Sequence, residues 1–207
     1  MVADALSRRQ EAPATEWVLN LEVCQVLWSL WGTPSIDVFA TSFNNRLQRY
    51  FSPVPDPRAV GIDAFLQDWS HQFLYMFPPF KLLNRVLAKI RGSLNCQVIL
   101  IAPLWPQQAW YPDLLELLTD IPRRLPRWGN LLRQSLDQRE CHHVGIFHLH
   151  AWRLSSVYWE NMVFRETLLP VSLNVSGPHP LNYTNQNGKY SQIGVSRKGS
   201  IPSLPLF

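Results

Sequence analysis

The sequence predicts an α/β domain built on a parallel sheet with flanking helices, followed by a tail expected to be disordered. Three observations predict it. Residues 97–102 (QVILIA) form an uninterrupted apolar run, as in a strand buried on both faces of a parallel sheet. Residues 80–91 place Leu83, Val86, Leu87 and Ile90 on one helical face and Lys81, Arg85, Lys89 and Arg91 elsewhere. Strand-like and helix-like segments alternate, which argues for βαβ units with right-handed crossovers.

In chain order, residues 1–16 are polar, lack periodicity and contain Pro13, so they read as a linker. From 17 to 31, Leu21, Cys24, Leu27, Trp28 and Trp31 recur at helical spacing, and Gly32 and Pro34 supply a stop. Residues 35–40 (SIDVFA) read as a strand. Residues 41–62 hold Asn44, Asn45, Pro53, Pro55, Pro57 and Gly61 and read as a long irregular loop, a kind that usually serves function. Residues 73–77 (FLYMF) are a second strand, closed by Pro78 and Pro79, and 92–95 form a turn after the helix. Pro103 and Pro106 end the third strand, and a helical pattern runs over 111–118. This defines a domain over 17–118. Residues 119–166 are a basic and aromatic extension whose structure the sequence leaves undecided, with a strand over 144–149 and a short helix over 152–164 as expectations. Beyond Glu166 no acidic residue occurs, and 167–207 are expected to be disordered.

The 207 residues suit one domain with flanking segments, and a hydrophobic share of 46% with nine Trp is enough for a packed core. A net charge of +4 is compatible with nucleic acid without requiring it. Cys24, Cys96 and Cys141 are widely spaced and form no CxxC pair, which argues for a reducing compartment and against a disulfide framework. The first 20 residues carry no apolar run, so no secretory signal is expected, and no stretch approaches the ~18 apolar residues of a membrane span. An intracellular protein, nuclear or cytoplasmic, is the expectation. Gly32, Gly61 and Gly92 are isolated, so a GxGxxG dinucleotide loop is absent.

Two stretches carry a family resemblance. Residues 2–8 (VADALSR) are similar to the segment that closes the RNase H region of retrotransposon polyproteins. Further on, Thr33-Pro34, Asp37-Val38-Phe39-Ala40, Asn44-Asn45, Arg49-Tyr50-Phe51, Asp63-Ala64, Asp68-Trp69 and Phe77-Pro78-Pro79-Phe80 follow in one order, continued by residues 102–105 and Trp110-Tyr111. The series resembles bacteriophage Dam-type adenine methyltransferases, and more closely the Dam-like domain that DIRS-type retrotransposons carry after RNase H. It covers about half the chain. The resemblance implies a Rossmann-like, methyltransferase-like fold, S-adenosylmethionine as cofactor, DNA as partner, and upstream and downstream polyprotein domains.

The resemblance also assigns roles. Methyl transfer to the N6 amine of adenine needs a base flipped onto an aromatic ring and acceptors that aim the amine at the sulfonium methyl. The family tetrapeptide, Asn or Asp followed by Pro-Pro-Tyr or Phe, supplies both. Here it reads Phe77-Pro78-Pro79-Phe80: Phe80 can stack and the Pro78 carbonyl can accept, but Phe77 cannot. Losing such a polar group removes ~3 kcal/mol of transition-state stabilisation, about a hundredfold in rate. The expectation is therefore an impaired enzyme. Asp37, Ala40, Asp63 and Asp68 are the positions the resemblance places beside the cofactor. Three of these have a plainer alternative: a strand ended by prolines for 77–80, and a turn or capping role for Asp37 and for Asp68.

Arg123, Arg124 and Arg127, with Arg133, Arg139 and Trp128, could track phosphates around a stacking ring, or be a solvated basic linker. Cys141, His142, His143, His148 and His150 fit no common zinc spacing, and HLH reads as alternating strand faces. The leading expectation is a retrotransposon-derived methyltransferase-like domain that binds S-adenosylmethionine or DNA at best, with little or no turnover. The alternatives are a non-enzymatic nucleic-acid-binding or polyprotein-organising module, and a decayed open reading frame.

Overall fold

The computed structural model describes residues 17–134, 148–168 and 202–207. Strand β1 (Trp17–Leu19) leads into helix α1 (Leu21–Trp31), then β2 (Ile36–Asp37), β3 (Phe51–Ser52) and β4 (Gly61–Ile62). Strand β5 (Phe73–Met76), helix α2 (Leu83–Gly92), β6 (Gln97–Pro103) and α3 (Tyr111–Glu116) follow. The rest is β7 (Arg123–Arg124), β8 (Leu132–Gln134), β9 (Leu149–Ser155), α4 (Tyr158–Leu168) and β10 (Leu204–Pro205).

Six strands form the main sheet in the order β10-β7-β9-β6-β5-β2. Strands β2, β5 and β6 are parallel neighbours, with Ile36 opposite Leu74 and Phe73 opposite Gln97. A parallel bridge from Asp37 to Tyr50 joins β2 to the parallel β3–β4 pair. The chain therefore winds outward from β2 through β3 to β4, returns to the other side of β2 as β5, and continues outward to β6. Between β2 and β5 the direction of winding reverses.

Side-chain alternation along the strands divides the core in two. Leu74 and Met76 of β5, Val98, Leu100 and Ala102 of β6, and Trp152 and Leu154 of β9 face α2, α3 and α4. Helix α2 meets them with Leu83, Val86, Leu87 and Ile90, all fully buried. On the opposite face Tyr75, Ile99, Ile101 and Ala151 meet Val23, Cys24 and Leu27 of α1. Asn20 caps α1, its Oδ1 accepting from the Glu22 N–H at 2.9 Å. Gly32 ends the helix at φ +90°, where an L side chain is strained.

Four expectations are corrected. The sheet is mixed, not parallel throughout: β9 runs antiparallel to β6 over seven residue pairs, and β7 pairs with its other edge. An apolar run reports burial on both faces and carries no information on direction. The helix begins at Leu21, because Asn20 caps there and 17–19 pair with β8 in an antiparallel ribbon. Residues 152–155 belong to β9, and the helix expected over 152–164 starts at Tyr158; the alternation of Trp152 and Leu154 with Arg153 is strand period. The tail expected to be disordered to Phe207 ends in β10, which pairs in parallel with β7, while Leu206 packs on the α1-side core and the Phe207 ring lies 4.8 Å from that of Trp128. Residues 119–134 and 148–168 supply β7, β8, β9 and α4 to the same framework. The expectations for 1–16, 144–147 and 169–201, and for Arg139, Cys141, His142 and His143, lie outside the described residues.

Candidate functional site

In open α/β sheets, ligand crevices form at the carboxyl ends of the strands where the winding reverses. Here that point is flanked by Asp37, the last residue of β2, and by Phe77–Phe80, which follow β5. Asp37 lies opposite Tyr75 in register. Phe77 and Phe80 are half-buried with ring centres 6.5 Å apart, and Phe80 sets its edge on Trp105 at 5.4 Å. Pro78 is buried and Pro79 exposed. The Pro79 carbonyl accepts from the Leu82 N–H, opening the short 3-10 turn (Phe80–Leu82) ahead of α2.

The carboxylate of Asp37 is 2% exposed. Its Oδ2 accepts the Arg46 backbone N–H at 2.9 Å, so the loop after β2 folds back over it. Burial pushes its pKa up to about 7, while the N–H groups of Arg46 and Phe39 and the Arg46 charge oppose the rise. Beside it, the Cys24 thiol donates to the Tyr75 hydroxyl at 3.9 Å, and burial raises both groups, Cys24 to about 12. Arg46 in turn donates its Nε to the Leu19 carbonyl at 2.6 Å, tying the loop to β1.

The other predicted positions scatter. Ala40 is buried and its N–H bonds the Phe51 carbonyl, a link between β2 and β3. Asp63 follows β4 at φ 54° and caps the 3-10 turn (Ala64–Leu66), its Oδ1 accepting from Phe65 N–H. Asp68 precedes β5, at the amino ends of the strands, near Cys96 and Lys89. It is exposed and caps the turn to Ser70 at 2.9 Å, the bond that contributes most to lowering its pKa. Asp37 and Asp68 are therefore at opposite ends of the sheet and do not converge.

The basic group also divides. Arg123 leans toward Asp120 at 3.5 Å and over the Trp31 ring at 6.0 Å. Trp128 is covered by Phe207. Arg124 and Arg127 are exposed. His150 is buried in β9, its Nδ1 donating to the His148 carbonyl at 2.7 Å, and burial lowers its pKa. Among the described residues no group of three or more His, Cys, Asp or Glu side chains is placed to hold a metal.

A cleft of about 320 Å³ opens at the amino end of α1, lined by Val18, Asn20, Leu21, Phe43, Arg46, Asn130 and Arg133. It lies on the α1 side of the sheet, above the loop that closes over Asp37. Phe77–Phe80 do not line it. Sequence reading passed over Asn20, Phe43, Arg46 and Asn130. The one signal available was Asn20 directly before an apolar helical run, a capping pattern that marks a helix start.

The fold and site define a mixed α/β domain on a mixed sheet, with a basic cleft beside a sealed carboxylate. Comparison with protein-family models and with curated proteins matches the chain to none of them. Among the described residues no helix is long and apolar enough to cross a membrane.

Proposed function

We propose that this chain is a retrotransposon-derived, Dam-like domain that keeps a methyltransferase-like fold and serves as a non-enzymatic nucleic-acid-binding module of a polyprotein. One observation carries the reading. The strand ending in Asp37 and the strand ending in Phe77-Pro78-Pro79-Phe80 are parallel neighbours at the reversal of winding, where the resemblance requires them.

The residues at that point do not fit S-adenosylmethionine. The Asp37 carboxylate is buried under the Arg46 N–H, Asp63 is spent on its own turn, and Asp68 stands at the wrong end of the sheet. Phe77 offers no acceptor to an amine, and its ring packs against the α1-side core. Among the described residues the cleft nearby carries two guanidinium groups and no carboxylate, an unfavourable setting for a cofactor of net positive charge. What remains is the pair Arg46 and Arg133 lining the cleft, with Arg124 and Arg127 exposed on and after β7, side chains suited to phosphates. Such a role belongs in the nucleus or cytoplasm.

The test restores the missing acceptor. Phe77→Asn and the parent chain are assayed for labelled methyl transfer from S-adenosylmethionine to DNA, with DNA binding followed in parallel. Neither should transfer methyl groups, and both should bind DNA with an affinity that falls steeply with salt. Methylation by the variant overturns the non-enzymatic reading, and binding that ignores salt overturns the role of the arginines.

A further inference from the structure

We infer that the cleft at the amino end of α1 is a nucleotide subsite that takes one unpaired nucleotide, its phosphate on Arg46 and Arg133 and its base against Phe43. The inference rests on the nucleic-acid reading above and assigns it a place and a substrate form.

Four features of the cleft point to this ligand. Among the described residues its lining includes two guanidinium side chains and no carboxylate, so it favours an anion. The Nε of Arg46 is fixed by the Leu19 carbonyl, which holds the guanidinium in place before any ligand arrives. Asn130 adds a neutral amide to the lining, while the Asn20 side chain is engaged in capping α1 and in reaching the Asn130 carbonyl. Phe43 supplies a flat apolar surface at the mouth, its side chain 71% exposed.

That exposure is built, not incidental. The loop bearing Phe43 is pinned on both sides: Asn44 Oδ1 accepts the Thr41 N–H at 2.5 Å, Thr41 Oγ1 accepts the Phe43 N–H at 3.3 Å, and Asn45 Nδ2 donates to the Leu47 carbonyl at 2.9 Å. An ordered loop that holds a large ring in water supplies a stacking platform, a sequence-tolerant way to hold an unpaired base. A volume of about 320 Å³ lies at the lower end of the range for small-ligand sites and suits a single nucleotide. A base paired within a duplex presents no free face to such a ring, so the cleft selects single strands.

The experiment measures fluorescence anisotropy of a labelled oligo-dT strand with the full chain, against the same strand in a duplex, and with dAMP as competitor. Phe43→Ala and Asn130→Asp are the variants. The first removes the ring; the second adds a negative charge to the lining and deletes no packing. The single strand should bind more tightly than the duplex and be displaced by dAMP, and each variant should lower affinity about tenfold with an unchanged melting temperature. Failure of dAMP to compete places any strand binding outside a mononucleotide site and overturns the subsite. Strand binding by the parent chain with both variants unaffected also overturns the subsite while the nucleic-acid reading stands. No binding of either strand or duplex overturns both.

Discussion

Asp37→Asn isolates the least favourable electrostatic feature of the fold. The carboxyl is buried, and its pKa in the folded chain is about 7 against an ordinary value of 3.8. Below about pH 4 the folded and unfolded states both hold the proton. Between about pH 4 and pH 7 only the folded state holds it, so stability falls as pH rises. The difference of 7 − 3.8 = 3.2 corresponds to about 4 kcal/mol at most, a large fraction of a typical domain's stability. Asparagine keeps an oxygen to accept the Arg46 N–H and cannot ionise. The variant should therefore be more stable than the parent by about 2–4 kcal/mol at pH 8, with the difference shrinking toward pH 4. Urea unfolding of both chains across this range measures it. His150 contributes with the opposite sign, since burial holds its imidazole neutral and its stabilising contribution is lost as pH falls. It is common to both chains and cancels in the difference. Identical pH dependence of parent and variant would refute the account of Asp37 as a sealed, proton-holding carboxyl.

Further predictions concern packing, the tail and the thiols. Leu100→Ala leaves a cavity between β6 and α2 and should cost about 2–5 kcal/mol by chemical denaturation. Removal of residues 202–207 uncovers Trp128 and the β7 edge, so tryptophan emission should shift to the red while the far-ultraviolet dichroism of the remaining sheet persists. Arg91→Ala breaks two exposed ion pairs, to Asp113 and Glu116, and should change stability by no more than about 1 kcal/mol. The thiols of Cys24 and Cys96 are buried and pushed up to about 12, so a thiol reagent at pH 8 should leave both unmodified until the chain is unfolded.

The segments that sequence reads well are those whose period is set by burial on a regular element. The runs at 73–77 and 97–102 and the face of Leu83, Val86, Leu87 and Ile90 match β5, β6 and α2 because each buries one continuous stripe. Strand direction was not legible, since Val98 and Trp152 are equally buried whichever way β9 runs. The small β3–β4 pair was hidden in a proline-rich loop because two-residue strands carry no period. At the site, Pro78 and Pro79 correctly mark a strand end. The carboxylates misled, because Asp63 and Asp68 are near in sequence yet separated by a turn that carries the chain from the carboxyl ends of β4 back to the amino end of β5. The cleft was invisible for a related reason: Asn20, Arg46 and Arg133 meet only through the β1–β8 ribbon and the loop after β2.

The most direct test of the central claim is calorimetric titration of the full chain with S-adenosylmethionine. With Asp37 sealed beneath Arg46 and two guanidinium groups in the neighbouring cleft, the account predicts no saturable heat. Saturable binding of the methyl donor would contradict it and return the strand ends of β2 and β5 to the role of a cofactor site.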